Sequence, residues 1–381
     1  MPSNLTPTER TYTIALSLAK YVGPRSAIEL IEALGSATAL FTDAELRARI
    51  LPRLPQRIAQ QLASSALVEE ALCIEERCEK EGIRPIFFLS EDYPASLREI
   101  AVPPMVLYVR GEYVAWEERK HVSVVGTRSI SDYGRALTQQ VLSELAATCP
   151  ASTIVSGLAY GVDIQAHEGA LNAGLPTVAV LAHGLDTLYP SAHWRIAEQI
   201  LRDGGAWVSE YPPGVKPYRQ AFVARNRIIA GLSAATIVIE AGEHSGSLST
   251  ANYALESGRE VFACPGRLTD PESIGCHKLI EEQRAHLYLG AYSLMKELGW
   301  ATSDDANGAS FFSAPASETT SPTKEYPPHP LLAILIEQDM LSVDDLSRLS
   351  GMDLMTVRSE LFDLELDGWI QARAGGCYSL C

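Results

Sequence analysis

The stretch Phe222–Ser249, FVARNRIIAGLSAATIVIEAGEHSGSLS, decides the fold. A basic cluster, Arg225-Asn226-Arg227, sits in a helical run. An apolar strand follows from Thr236 to Glu240, and the turn His244-Ser245-Gly246-Ser247 leads into the next helix. Such a helix–strand–turn–helix order places cations and unpaired backbone N–H groups at one end of a sheet, where phosphates are held.

Working outward, strands and helices alternate from about residue 120 to 297. Strands are expected at Val122–Gly126, Thr153–Ser156, Thr177–Ala182, Ala206–Ser209, Thr236–Glu240 and Glu260–Cys264. Helices are expected at Ser131–Ala147, Gly161–Ala173, Ser191–Leu201, Ala224–Leu232 and Ser247–Ser257. Strands apolar on both faces, separated by amphipathic helices, predict an α/β fold with a doubly wound, mostly parallel, Rossmann-like sheet. Ligands of such sheets lie at the carboxyl ends of the strands.

Upstream, residues 1–80 carry helix-spaced apolar positions broken at Val22-Gly23-Pro24 and Gly35-Ser36, which predicts a small helical domain. Its segment VGPRSAIELIEALGS is faintly like a helix-hairpin-helix. Short extended pieces at Pro85–Leu89 and Met105–Val109, punctuated by prolines, read as a connector laid against the sheet domain. The domain itself is placed at 81–300. Downstream, residues 301–330 are rich in Ser, Thr, Ala and Pro and read as a flexible linker. Residues 331–381 have helical patterns at Leu331–Glu337, Val343–Leu349 and Leu354–Leu366, then a hairpin signal at Trp369–Tyr378 around Gly375-Gly376; this order suits a winged helix. From Leu331 onward nine acidic residues face only Arg348, Arg358 and Arg373, which favours a protein-docking or structural role over groove reading.

The totals bound the function. At 381 residues the chain can bury several cores, and no apolar run is long enough to span a membrane. A cytoplasmic protein is expected. Seven scattered cysteines with no Cys-x-x-Cys pair indicate reduced thiols rather than a disulfide frame or zinc site. A net charge of −16 opposes a nucleic-acid partner, yet from Tyr211 to Ile239 there is no acid while Lys216, Arg219, Arg225 and Arg227 are present. A local positive patch on an acidic body satisfies both facts.

Three strand ends are candidate anion holders. They are Gly126-Thr127-Arg128, Ser156-Gly157 and the turn His244–Ser247, with the arginines of the opening stretch beside them. GxGxxG and GxxxxGK[ST] are both absent, which weighs against dinucleotide use and ATP hydrolysis. Asp163 with His167, and His183 with Asp186, could form an acid/base pair, but there is no GxSxG nucleophile signal and packed histidines are the simpler reading. No cofactor or metal is called for.

The segments VSVVGTRSISDYG, IVSGLAYGVDIQAHEGAL, TVAVLAHGLDTLYP, VSEYPPG, ARNRIIAGLS, VIEAGEHSGSLSTANYALESGREVFACPG and GCHKLI, in that order across roughly residues 83–297, resemble the DNA-processing protein A (DprA/Smf) family. The resemblance implies an extended Rossmann fold between a helical N-terminal domain and a C-terminal winged helix. It implies a non-enzymatic homodimer that binds single-stranded DNA and helps load the recombinase RecA during natural transformation. Carried over by motif, Gly126, Thr127, Arg128, Ser156, Gly157, Arg225, Asn226, Arg227, His244, Ser245, Gly246, Ser247, His277 and Lys278 would meet the strand. Three positions depart from the pattern: His244 stands where a lysine or arginine is common, His277 where asparagine is usual, and Arg284 where glycine is common. The alternative is a nucleotide-binding or nucleotide-hydrolysing enzyme of the phosphoribohydrolase-like superfamily, in which Glu240 could act as the carboxylate.

Overall fold

Short runs of Val, Ile and Ala with no charge between them form the centre of a nine-stranded sheet. The computed structural model describes residues 5–112, 116–301, 329–337, 341–366, 369–373 and 377–380. The chain begins with helices α1 (Pro7–Ser17), α2 (Pro24–Leu34), α3 (Ala37–Thr42), α4 (Ala44–Ile50), α5 (Gln56–Ala63) and α6 (Ala66–Glu81). Pro24 opens α2 and Gly35, at φ +80°, closes it, so the punctuation seen in the sequence marks real helix ends.

Next come β1 (Ile83–Phe87), α7 (Ala95–Arg98), β2 (Val106–Arg110), β3 (Lys120–Val125), α8 (Asp132–Thr148), β4 (Ser152–Ser156), α9 (Val162–Asn172) and β5 (Thr177–Val180). They are followed by α10 (Trp194–Arg202), β6 (Ala206–Ser209), α11 (Arg219–Leu232), β7 (Ala235–Val238), α12 (Ser247–Glu256), β8 (Glu260–Ala263), α13 (Ile274–Glu281), β9 (His286–Leu287) and α14 (Ala291–Glu297). The strand order is β1-β2-β6-β5-β4-β3-β7-β8-β9, parallel throughout except at β1/β2 and β2/β6.

The expected connector is therefore part of the sheet. Pro85 lacks an N–H, and β1 is an edge strand, where that loss is tolerated. β2 lies inside, between β1 and β6, with Val106–Val109 all buried. α11 starts at Arg219 rather than near Ala224, and α13, β9 and α14 are elements the sequence reading did not name.

Alternation along the strands supplies two faces. Val122 and Val124 of β3 pack with Leu137, Val141 and Leu145 of α8 and with Ala166 of α9, whereas Val125 packs with Ile228, Ile229 and Leu232 of α11. Each fully buried aliphatic side chain of this kind contributes roughly 1.5–3 kcal/mol. The N-terminal helices pack their apolar side against Phe87, Val106, Tyr108 and Trp207 of the sheet in a continuous core. Of the cysteines, Cys78, Cys149, Cys264 and Cys276 are buried, and burial pushes the thiols of Cys78 and Cys276 up to about 12.

Residues 312–381 form a second compact unit, with α15 (Pro330–Glu337), β10 (Leu341–Ser342), α16 (Val343–Ser350), α17 (Leu354–Leu366), β11 (Ile370–Arg373) and β12 (Cys377–Leu380). Ser342 caps α16, its Oγ accepting from Asp345 N at 3.2 Å. The hairpin strands pair as the sequence indicates, joined by β10, which it did not. The hairpin tip at 374–376 and residues 302–328 of the expected 301–330 linker lie outside the described residues, and at its far end Pro330 already opens α15. No helix among the described residues is long and apolar enough to cross a membrane, and no metal-ligand cluster occurs among them.

Candidate nucleic-acid interface

β3 and β7 lie side by side, and the chain leaves them in opposite directions, from β3 toward β4 and from β7 toward β8. A sheet opens a crevice at such a switch point. Here the two exits are tied together, Thr127 N donating to Glu240 O at 2.7 Å and Val162 N to Thr127 O at 3.1 Å. The turn must be glycine, because a Cβ on Gly126 would lie 2.4 Å from Val162 Cγ2 and 2.8 Å from Glu240 O.

Between the two turns is a cleft of about 450 Å3, lined by Gly126, Thr127, Arg128, Asp163, Phe222, Arg225, Asn226 and residues 242–247. Arg128 is exposed at its mouth, its guanidinium carbon 5.8 Å from the centroid of the Phe222 ring. It has no ion pair among the described residues. Phe222 in turn meets Tyr189 at 5.8 Å, and Tyr189 is 50% exposed.

The floor is Arg225, 4% exposed. Its Nη1 donates to Gly157 O at 2.8 Å and also to Val180 O, so it ties together the ends of β4 and β5. Burial lowers its pKa to about 10, with the nearby Asp163 carboxylate holding the charge up; burial likewise raises Asp163, against the pull of Arg225. On the far wall Asn226 Nδ2 donates to Ser249 Oγ at 2.9 Å and Gly246 O at 3.3 Å, fixing α11 to the start of α12. Ser245 and Ser247 hydroxyls are 2.8 Å apart beside the exposed His244.

The cleft, walled by arginines and two backbone turns, lies within a stretch matching the family described as DNA recombination-mediator protein A, over residues 84–299. The chain belongs to that family. A second match, to the DprA winged helix domain, covers residues 314–376. The chain is 39% identical over 289 residues to the protein Smf of Escherichia coli (strain K12), covering 75% of each chain. It is 39% identical over 220 residues to the DNA processing protein DprA of Bacillus subtilis (strain 168), covering 58% of this chain and 72% of that one. The X-ray structure of DNA processing protein A from Streptococcus pneumoniae superposes with a TM-score of 0.61 at 34% identity, over 77% of this chain and 99% of that one.

In this recombination-mediator fold several expected residues stand away from the cleft. Ser156 is fully buried and donates to Val124 O at 2.7 Å. Gly157 lies beneath Arg225. Arg227 points to the opposite side of α11 and forms a bidentate pair with Glu210, both bonds 2.6 Å, with side chains only 12% and 15% exposed. Burial works against that charge, but the Glu210 carboxylate outweighs it and raises the Arg227 pKa. His277 bonds Gly266 O at 3.0 Å, and Lys278 pairs with Glu243 at 2.6 Å. Lys278 thus neutralises an acid of the cleft wall, and Glu243 is held below the usual carboxylate range by that bond.

Phe222 escaped the sequence reading because an aromatic beside a basic run reads as core until its exposure is known, and Tyr189 is brought to it only by the fold. Glu240 is 2% exposed and accepts from Ser131 N at 2.9 Å and Ser131 Oγ at 2.5 Å, anchoring the cap of α8. The histidines do not form an acid/base pair with the aspartates. His167 Nδ1 is 2.7 Å from Thr177 Oγ1, His183 Nδ1 bonds Gly184 O at 2.9 Å, and Asp186 accepts from Gly214 N at 2.8 Å.

Proposed function

We propose that the β3/β7 cleft grips the sugar-phosphate backbone of single-stranded DNA. The chain then acts as a cytoplasmic, non-enzymatic homodimer that protects the strand and helps load RecA. The observation that carries the reading is Arg128, an exposed guanidinium with no ion pair among the described residues, set over an aromatic face at the switch point of the sheet. A guanidinium fork suits a phosphate, and the His244–Ser247 turn supplies hydroxyls across from it. Phe222 and Tyr189 offer faces on which bases of any identity stack, the usual device for sequence-independent single-strand binding. The Lys278–Glu243 pair removes one repulsive charge from the path.

Glu240, engaged by Ser131, favours a binder over a nucleotide hydrolase. The test is fluorescence anisotropy with single- and double-stranded oligonucleotides of one sequence, with RecA filament assembly on the single strand followed alongside. Preference for the single strand and faster filament assembly support the reading. Base release from AMP that disappears in Glu240→Gln would replace it with the enzymatic one.

A further inference from the structure

The N-terminal helices hold a second basic surface. Residues 46–68 contain four arginines and no aspartate or glutamate, in a chain of net charge −16. Packing decides which way this window faces. Ile50, Leu51, Leu54 and Ile58 turn inward against the core. Arg47 folds back onto the carbonyls of Phe41, at 3.1 Å, and Ala63, at 3.4 Å. Arg49, Arg53 and Arg57 are left exposed, and none of the three has an ion pair among the described residues. Even Glu45, one turn before Arg49, does not pair with it.

Guanidinium groups on a packed helical frame, with the exposed amides of Gln56 and Gln60 beside them, are donors suited to phosphate oxygens. Of the leucines and isoleucines of the window, all but the half-buried Leu46 pack into the core, so it offers little apolar surface to a lipid. A strand held in the cleft would be the polyanion at the highest local concentration. We infer that Arg49, Arg53 and Arg57 form a second, sequence-independent contact for the phosphate backbone of DNA that leaves the cleft. The inference rests on the cleft reading and extends it to the N-terminal domain.

The experiment compares the full-length chain with the triple variant Arg49→Gln/Arg53→Gln/Arg57→Gln across a salt series. It uses a short oligothymidylate, about 10 nucleotides, on the order of one binding groove, and one several times longer. On the long strand the triple variant is expected to lower the slope of log K against log salt by about 2, at roughly 0.7 for each phosphate no longer neutralised. On the short strand it is expected to match the wild type, and a triple lysine variant should keep the full slope. Circular dichroism confirms that the variants fold. Equal slopes on the long strand, or no binding of that strand by either protein, overturn the inference. Retention of polyglutamate that depends on these arginines, with DNA slopes unchanged, reassigns the surface to an acidic protein. Failure of the wild type on the short strand alone removes the cleft reading, while the long-strand comparison still tests the arginines.

Discussion

Arg225 occupies the space that a side chain on residue 157 would fill. Its Nη1 donates to Gly157 O at 2.8 Å, and a Cβ on Gly157 would stand 2.4 Å from Nη2. Gly157 serves the site by letting the guanidinium lie flat on the chain. Gly157→Ala is expected to destabilise the fold by about 1–3 kcal/mol, the usual range for forced overpacking, as read by urea denaturation. Because the arginine must shift, single-strand affinity should fall as well. Unchanged stability would mean that the cleft floor is soft.

Arg227 is expected to matter for folding rather than for DNA. Removing it leaves Glu210 uncompensated in a nearly closed site, so Arg227→Ala should cost roughly 3–5 kcal/mol. Replacing both partners by methionine should recover most of that. Single-strand affinity of the folded double variant should match the wild type within error; a large decrease would return Arg227 to the binding surface.

The six parallel strands β3 to β8 were legible because their centres are apolar and regularly spaced, and the helix caps at Pro24, Gly35 and Ser342 follow from local chemistry alone; β1, β2 and β9 were not legible as members of the sheet. What could not be read was direction. Arg225 and Arg227 are two residues apart on a helix and so face different ways, one beneath the cleft and one toward Glu210. A basic run does not reveal that split. Ser156 likewise ends a strand as a phosphate-binding serine would, yet its hydroxyl is taken by Val124 O. The role of Lys278 depends on Glu243, which is far from it in sequence and beside it in space.

Stability should fall with acid through buried histidines. Thr177 Oγ1 donates to Ile154 O, so His167 Nδ1 must be the donor to Thr177, which leaves Nε2 without a partner among the described residues. Burial lowers the His167 pKa to about 3 and that of His121 to about 4. The unfolded chain therefore takes up these protons first, and stability present above about pH 6.5 is lost as pH falls toward those values. Asp163, raised by burial, works in the opposite direction. Denaturant melts at pH 7.5 and 4.5 should show a smaller acid loss for His167→Gln than for the wild type. An identical loss would exclude His167 as a source.

His244 stands exposed beside the Ser245–Ser247 turn. His244→Lys adds a fixed cation at the cleft wall. Single-strand affinity at low salt should rise, and the salt slope should steepen by about 0.7. If neither changes, the strand does not pass this turn.

The most direct test of the cleft is Arg128. Single-strand binding measured from low to moderate salt should weaken in Arg128→Ala for all sequences alike, with the slope of log K against log salt reduced by about 0.7. Phe222→Ala should weaken binding by roughly 1–3 kcal/mol, the contribution of one stacked base, without changing that slope. Wild-type affinity and an unchanged slope in Arg128→Ala would contradict the assignment of the β3/β7 cleft as the DNA grip.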